Sequence, residues 1–132
     1  MIRNKHYNSD VHYICKLKGI KSIEKVYGKL KNYDVVLTDE RKHHIIKRRK
    51  EDSILILNNI REVIEDYDFI LDASSNCIRC VKFYDKRNIA FVIKLSLDDS
   101  NQGNSILSAV VMNMKKLNKI LSRDRIIHSK LW

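Results

Sequence analysis

Residues 69–112, FILDASSNCIRCVKFYDKRNIAFVIKLSLDDSNQGNSILSAVVM, carry the hydrophobic pattern that decides the fold. Apolar and polar residues alternate through much of this stretch, which is the period-2 pattern of β-strands. Four successive strands are predicted, at 69–72, 77–84, 89–97 and 105–112. The connections between them are short and polar, and short links between neighbouring strands favour an antiparallel meander.

Upstream of these strands the pattern changes to that of helices. An apolar stripe from Ile56 to Tyr67 has the spacing of one helix face. A helix over 39–49 is predicted before it, because Thr38 is a good N-cap residue. Shorter patterns predict a strand at 35–37, a helix at 115–122 and a terminal strand at 125–131.

A run of helices followed by a run of strands is typical of an α+β domain. We therefore expect N-terminal helices packed on a mainly antiparallel sheet of four to five strands. Residues 34–132 are predicted to form this domain. Residues 1–33 are predicted to be a basic extension able to pack on it, with a short alternating stretch at 11–17 and a helix near 22–30.

The composition narrows the classes of function. A chain of 132 residues suits one domain, and its three glycines form neither the GxGxxG fingerprint of dinucleotide-binding proteins nor the GxxxxGK[ST] phosphate loop. No apolar run approaches the roughly 20 residues that span a bilayer. The basic N-terminus lacks the apolar stretch of a signal peptide. A cytoplasmic protein without a membrane partner is therefore expected.

Positive charge is concentrated at the two ends of the chain. Residues 1–50 carry 14 basic and 5 acidic side chains, residues 51–100 carry 6 and 10, and residues 101–132 carry 6 and 1, for a net charge of +10. Such concentration favours a polyanionic partner, because neutralised phosphates release counterions. The alternative is a solvated basic surface without a partner.

Two patterns suggest a metal site only superficially. Cys77 and Cys80 form a CxxC pair, but positions three apart in a strand face opposite sides, so burial as small hydrophobic residues is expected. Asp34, Glu40 and Lys42 imitate the acidic pair and lysine of metal-dependent nucleases, although Glu40 begins a helix. Two further acids, Asp98 and Asp99, suit a hairpin loop. No metal site is predicted.

The densest polar cluster is ERKHHIIKRRKED, residues 40–52, in the predicted first helix. Arg41, His44 and Arg48 are spaced three and four apart, so one helix face presents an imidazole between two guanidinium groups. Repulsion between these cations is relieved when an anion lies over the face. Histidine is also the natural general acid or base near neutral pH. The alternative is an exposed histidine in a basic helix.

Polar side chains also interrupt the predicted strands. If Tyr84 pairs with Ile89, Arg79 lies opposite Lys94, and two adjacent cations in a sheet favour a shared anion. The alternative for Lys94 is a solvated position on an open face. The last strand begins with NSILS, residues 104–108, whose two serines point to opposite faces unless a bulge intervenes.

Together these segments resemble the phage-type nucleases of the barnase–EndoU–colicin–RelE superfamily. The resemblance covers about residues 34–132 and is carried by VVLTDERKHHIIKRRKED, the amphipathic helix after it, IAFVIKLS and NSILSAVV. Members of this family are small metal-independent RNases of phage-associated modules and toxin domains of bacterial competition systems. The resemblance implies an RNase domain that needs no cofactor.

The resemblance also implies roles for particular residues. Matched by position, the catalytic set is His44, Lys94, Arg41, Ser108 and Ser105. The RNA-binding set is Arg48, Arg49, Lys47, Arg79 and Asn104. The chain departs from the family where Arg49 replaces a frequent second histidine and where Ser108 replaces a common threonine, so a two-histidine acid/base pair is in doubt.

The implied reaction uses the 2′-OH of RNA as its nucleophile and gives a 2′,3′-cyclic phosphate. His44 would move a proton, while Lys94 and Arg41 would stabilise charge on phosphorus. A toxin RNase further implies an acidic immunity or antitoxin protein, since opposite charges speed association. Two alternatives remain: a non-catalytic basic nucleic-acid-binding module of a phage or mobile element, and a packaging protein that self-associates.

Overall fold

The computed structural model describes residues 7–98 and 102–130 and contains seven strands and five helices within them. The strands are β1 (Val11–Lys16), β2 (Asp34–Thr38), β3 (Phe69–Asp72), β4 (Cys77–Lys82), β5 (Asn88–Lys94), β6 (Asn104–Met112) and β7 (Ile126–Ser129). The helices are α1 (Ile20–Tyr27), α2 (Asp39–Arg48), α3 (Ser53–Asn58), α4 (Ile60–Glu65) and α5 (Met114–Arg123). Asp99 and Leu131, which fall in predicted elements, lie outside the described residues.

All seven strands form one sheet, in the order β1-β2-β6-β5-β4-β3-β7. Neighbouring strands are antiparallel except β2 and β6, which run parallel. The α+β class and the mainly antiparallel meander from β3 to β6 are confirmed. The predicted count of four to five strands is wrong, because β1 and β2 extend one edge of the sheet and β7 extends the other.

Helices cover the two faces of the sheet unequally. The larger core lies under α1 to α4 and includes the fully buried Ile23, Ile45, Ile56 and Ile64. The smaller core lies under α5, where Leu117 and Ile120 pack with apolar residues of β3 to β6. Because α5 is a single helix, it leaves part of its face of the sheet uncovered.

Residues 7–33 belong to the same sheet and core as the rest of the chain. β1 pairs with β2 along the sheet edge, and Ile23 of α1 is completely buried in the larger core. Lys16 of β1 also forms an ion pair of 2.5 Å with the buried carboxylate of Asp34. The stretch predicted as an extension therefore contributes both packing and charge pairing to the domain.

The helix predicted through Ile56 and Tyr67 is divided in two at Asn59. The side-chain amide of Asn59 donates to the carbonyl of Leu55 at 2.7 Å, which is the acceptor that an α-helix reserves for the backbone N–H of Asn59. That backbone N–H donates instead to Ile56 at 3.1 Å. The predicted apolar stripe nevertheless stays buried across the break.

The β4–β5 connection comprises residues 83–87, whereas the predicted strands leave residues 85–88 between them. Side chains capture two backbone amides at its start: Phe83 N–H donates to Asp68, and Tyr84 N–H donates to Asn88. Strand β4 therefore ends at Lys82, which pairs with Ile89 in place of Tyr84. The predicted pairing of Tyr84 with Ile89 is wrong by two residues.

Candidate nucleic-acid interface

The register of β4 and β5 places the sheet cations differently from the prediction. Cys77 lies opposite Lys94, and Arg79 lies opposite Val92, so Arg79 and Lys94 are not direct neighbours. A shift of two residues keeps a side chain on its original face, because side chains alternate with a period of two. Arg79 and Lys94 therefore still share the face of the sheet on which α5 packs.

A bulge in β6 brings its two serines to that same face. Ser105 pairs with Lys94 and Ser108 pairs with Val92, with a register shift between these pairs. Without this shift, residues three apart would point to opposite faces. The hydroxyl groups therefore line one side of the sheet, with Lys94 about 7 Å along β5 from the position that faces Ser108.

Helix α2 packs beside the part of β6 with which β2 does not pair. The β2–β6 register comprises two residue pairs at the start of β6, and Arg49 then donates from Nε to the carbonyl of Ala109 at 3.1 Å. Thr38 caps α2 as predicted by accepting the backbone N–H of Arg41 at 3.1 Å. These contacts fix the basic helix alongside the serine-bearing strand.

Two adjoining cavities lie where α2, β6 and α5 meet. The first, here called the His44 pocket, has a volume of about 220 Å³ and is lined by His44, Arg48, Arg49 and Ser108, among others. The second, here called the α5 groove, has a volume of about 300 Å³ and lies between α5 and the uncovered strands. Both cavities include Arg49, Ser108 and Ala109 in their walls, so the two cavities adjoin.

The α5 groove is strongly cationic. Its basic lining residues are Arg49, Arg79, Lys116, Lys119 and Arg123. Asp124 holds two of them, since it accepts from Arg79 at 2.6 Å and from Arg123 at 2.8 Å. Donation by Arg123 is the main reason that the pKa of Asp124 is lowered, and Arg79 lowers it further. Lys116 and Lys119 form no ion pair with any residue in the described part of the chain.

Several predicted site residues come together here and others do not. His44, Arg48, Arg49, Arg79 and Ser108 line the two cavities. Ser105 and Lys94 lie farther along the same face of the sheet. Arg41 lies in the first turn of α2, about one turn from His44, and Lys47 is exposed on the same helix.

The prediction that Asn104 binds RNA is wrong, because its side chain is completely buried. Its Oδ1 accepts the backbone N–H of Ser96 at 2.7 Å. Its Nδ2 donates to the carbonyls of Asn32 at 2.7 Å and Asp34 at 2.9 Å. The amide therefore ties β2, β6 and the end of β5 together, and its burial keeps a ligand from reaching it.

The basic residues of α5 are the part of the site that sequence reasoning missed. Lys116, Lys119 and Arg123 are spaced three and four apart, so they share one face of the helix. That spacing is visible in the sequence, as is the apolar pair Leu117 and Ile120 on the adjoining face, which packs on the sheet. What the sequence lacks is the information that α5 packs on the face of the sheet that carries Arg79 and Ser108.

Asp34, the first acid of the pattern formed with Glu40 and Lys42, is held inside the protein. Asp34 is engaged by the hydroxyl of Tyr7 at 2.8 Å and by Lys16. Within residues 7–98 and 102–130, no group of three or more His, Cys, Asp or Glu side chains is arranged to hold a metal ion. Cys77 and Cys80 are buried on opposite faces of β4, and burial raises the pKa of Cys80 to about 12.

Comparison with known proteins gives no relative: no family model, curated protein or solved structure matches the chain. The resemblance to the nuclease superfamily stays a prediction. None of the described helices has the length and apolar character needed to cross a membrane.

Proposed function

We propose that this protein is a metal-independent endoribonuclease of the toxin type, which cleaves RNA by attack of the 2′-OH on the adjacent phosphate. One observation carries the proposal. The only histidine lining the two cavities within the described residues, His44, lies in the cavity that adjoins the basic α5 groove and shares a pocket wall with Ser108. Six cationic side chains line the two cavities, namely Arg48, Arg49, Arg79, Lys116, Lys119 and Arg123.

The chemistry needs a proton acceptor, a proton donor and positive charge. His44 removes the 2′-OH proton as the ribose oxygen attacks phosphorus. The bond from phosphorus to the 5′-oxygen then breaks, and that oxygen takes up a proton from water while the His44 imidazolium returns its proton to the solvent. Arg48 and Arg49 stabilise the charge that accumulates on the phosphate oxygens, and Lys94 and Arg41, which line neither cavity, add positive charge at longer range. These cations supply the stabilisation that a divalent ion supplies in other nucleases. The product is a 2′,3′-cyclic phosphate.

A role in RNA cleavage places the activity in a cytoplasm, either of the producing cell or of a target cell. The cationic lining of the two cavities also suits an acidic immunity or antitoxin protein, because opposite charges accelerate association. Both statements are parts of the proposal and depend on the nuclease activity itself.

A non-catalytic RNA-binding module is the second candidate. It is favoured by the absence of a second imidazole among the described residues that line the two cavities. Such a module would use the same cations to bind phosphates. His44 would then contribute no more to RNA binding than a neighbouring surface residue does.

Substitution of the two adjacent histidines separates these candidates. His43 is exposed and outside both cavities, so His43→Ala is a matched control for His44→Ala on the same helix. Each protein is incubated with total RNA in EDTA, and fragments are resolved on a denaturing gel. We expect His44→Ala to cleave about 10²–10⁴-fold more slowly with nearly unchanged RNA affinity, and His43→Ala to match the wild type. Full activity of His44→Ala would overturn the assignment, whereas RNA retardation without cleavage by the wild type would support the binding module.

A further inference from the structure

The floor of the α5 groove differs chemically from its rim. Ala90 and Val92 of β5 and Val110 of β6 form an apolar floor, and Ile120 of α5 closes one side. The rim carries the cations described above. A cavity built for phosphates alone gains nothing from apolar walls, because phosphate oxygens need hydrogen-bond donors. An apolar floor inside a cationic rim instead suits a flat, uncharged group that is attached to a polyanion.

A nucleobase has this combination of properties. Its faces are apolar and its own chain supplies the phosphates on either side. Two fixed guanidinium groups are also available, because Asp124 holds both Arg79 and Arg123 beside the groove. Unstacked bases of RNA pack on guanidinium planes as well as on aromatic rings.

The size and position of the groove exclude a duplex from its floor. A cavity of about 300 Å³ admits a single extruded base, whereas the bases of an A-form helix are stacked and paired inside it. The groove also adjoins the His44 pocket through Arg49 and Ser108. A base in the groove therefore belongs to a nucleotide next to the phosphate at His44.

We propose that the α5 groove receives one unpaired nucleobase, so that the substrate class is single-stranded RNA. This inference rests on the proposed function, which supplies the phosphate position at His44. Paired RNA is then bound only at the rim, through its phosphates.

Binding of an uncleavable probe tests this proposal separately from catalysis. The probe is a fluorescent 12-nucleotide RNA with 2′-O-methyl riboses throughout, used alone or annealed to its complement. Its affinity for the full chain is measured by anisotropy at one salt concentration, because phosphate contacts depend on salt. We expect the single strand to bind at least about tenfold more tightly than the duplex. Equal affinities would overturn the proposal.

Filling the groove gives a second readout. Val92→Trp places a large side chain on the groove floor, whereas Ile54→Trp makes the same change at an exposed position outside both cavities and serves as the control. We expect Val92→Trp to weaken single-strand binding about tenfold and to leave duplex binding unchanged, with Ile54→Trp within about twofold of the wild type. An unchanged affinity in folded Val92→Trp would contradict the proposal. If Val92→Trp does not fold, the comparison of single strand and duplex with the wild type decides.

The two failures are distinguishable. A wild type that prefers the single-stranded probe but leaves natural RNA intact would overturn the nuclease and keep the groove assignment. A wild type that cleaves RNA but binds both probes equally would keep the nuclease and overturn the groove assignment.

Discussion

Replacement of Asn104 by alanine separates a structural amide from an RNA-binding one. Asn104 is completely buried and makes three hydrogen bonds, with Ser96 N–H and with the carbonyls of Asn32 and Asp34. Its removal deletes these three hydrogen bonds, and a buried backbone group left unsatisfied, such as the N–H of Ser96, costs about 1–3 kcal/mol. Because the carbonyl of Asn32 is only partly buried, we expect a total loss of about 3–5 kcal/mol in the free energy of unfolding.

Equilibrium unfolding in urea, followed by circular dichroism, measures this loss. In thermal unfolding, the same loss of about 3 kcal/mol lowers the midpoint temperature by roughly 10 °C for a domain of this size. Asn113→Ala is the matched control, because Asn113 makes one exposed cap hydrogen bond to Lys116 N–H and its loss costs about 1 kcal/mol. A loss below about 1 kcal/mol in Asn104→Ala, combined with weakened RNA binding by the folded protein, would refute the structural role.

Two further predictions concern charge. Arg49→Gln is expected to weaken the binding of all RNA sequences alike and to reduce the slope of log affinity against log salt concentration by about one. A salt titration measures this slope. An unchanged slope would show that Arg49 does not contact a phosphate. Hydrogen bonds from Lys130 and Lys82 lower the pKa of Asp66 to about 2, below its value of about 3.9 in the unfolded chain. Its stabilising effect is therefore complete above about pH 5 and is lost as the pH falls through about 4 to below about 2. The thermal unfolding midpoints of the wild type and of Asp66→Asn should therefore differ at pH 7 and converge near pH 2, and a constant difference would contradict this linkage.

Local patterns in the sequence were sufficient for most elements of the fold. The strands from β3 to β6 and helix α2 begin and end close to their predicted residues, because alternation and capping act over a few neighbouring positions. The errors arose where one polar side chain competed with the backbone, as Asn59 does in dividing α3 from α4. The strand count failed because pairing between distant segments, such as β2 with β6, leaves no periodic signal.

The candidate site was only partly predictable for the same reason. The spacing of His44 and Arg48 on one helix face is local, and the structure does place both in one pocket. The contribution of α5 depends on which face of the sheet it covers, which no short-range pattern encodes. Asn104 was misassigned because an asparagine at a strand start has the same appearance whether it faces solvent or a buried junction.

The chemistry of the cleaved ends tests the central claim most directly. Purified protein is incubated in EDTA with a synthetic single-stranded RNA and with the same RNA carrying 2′-deoxyribose at the cleaved nucleotide, and the fragments are analysed by mass spectrometry. Attack by the 2′-OH predicts fragments ending in a 2′,3′-cyclic phosphate and no cleavage at the deoxy position. Fragments with 3′-hydroxyl and 5′-phosphate ends, cleavage at the deoxy position, or intact RNA would contradict the account.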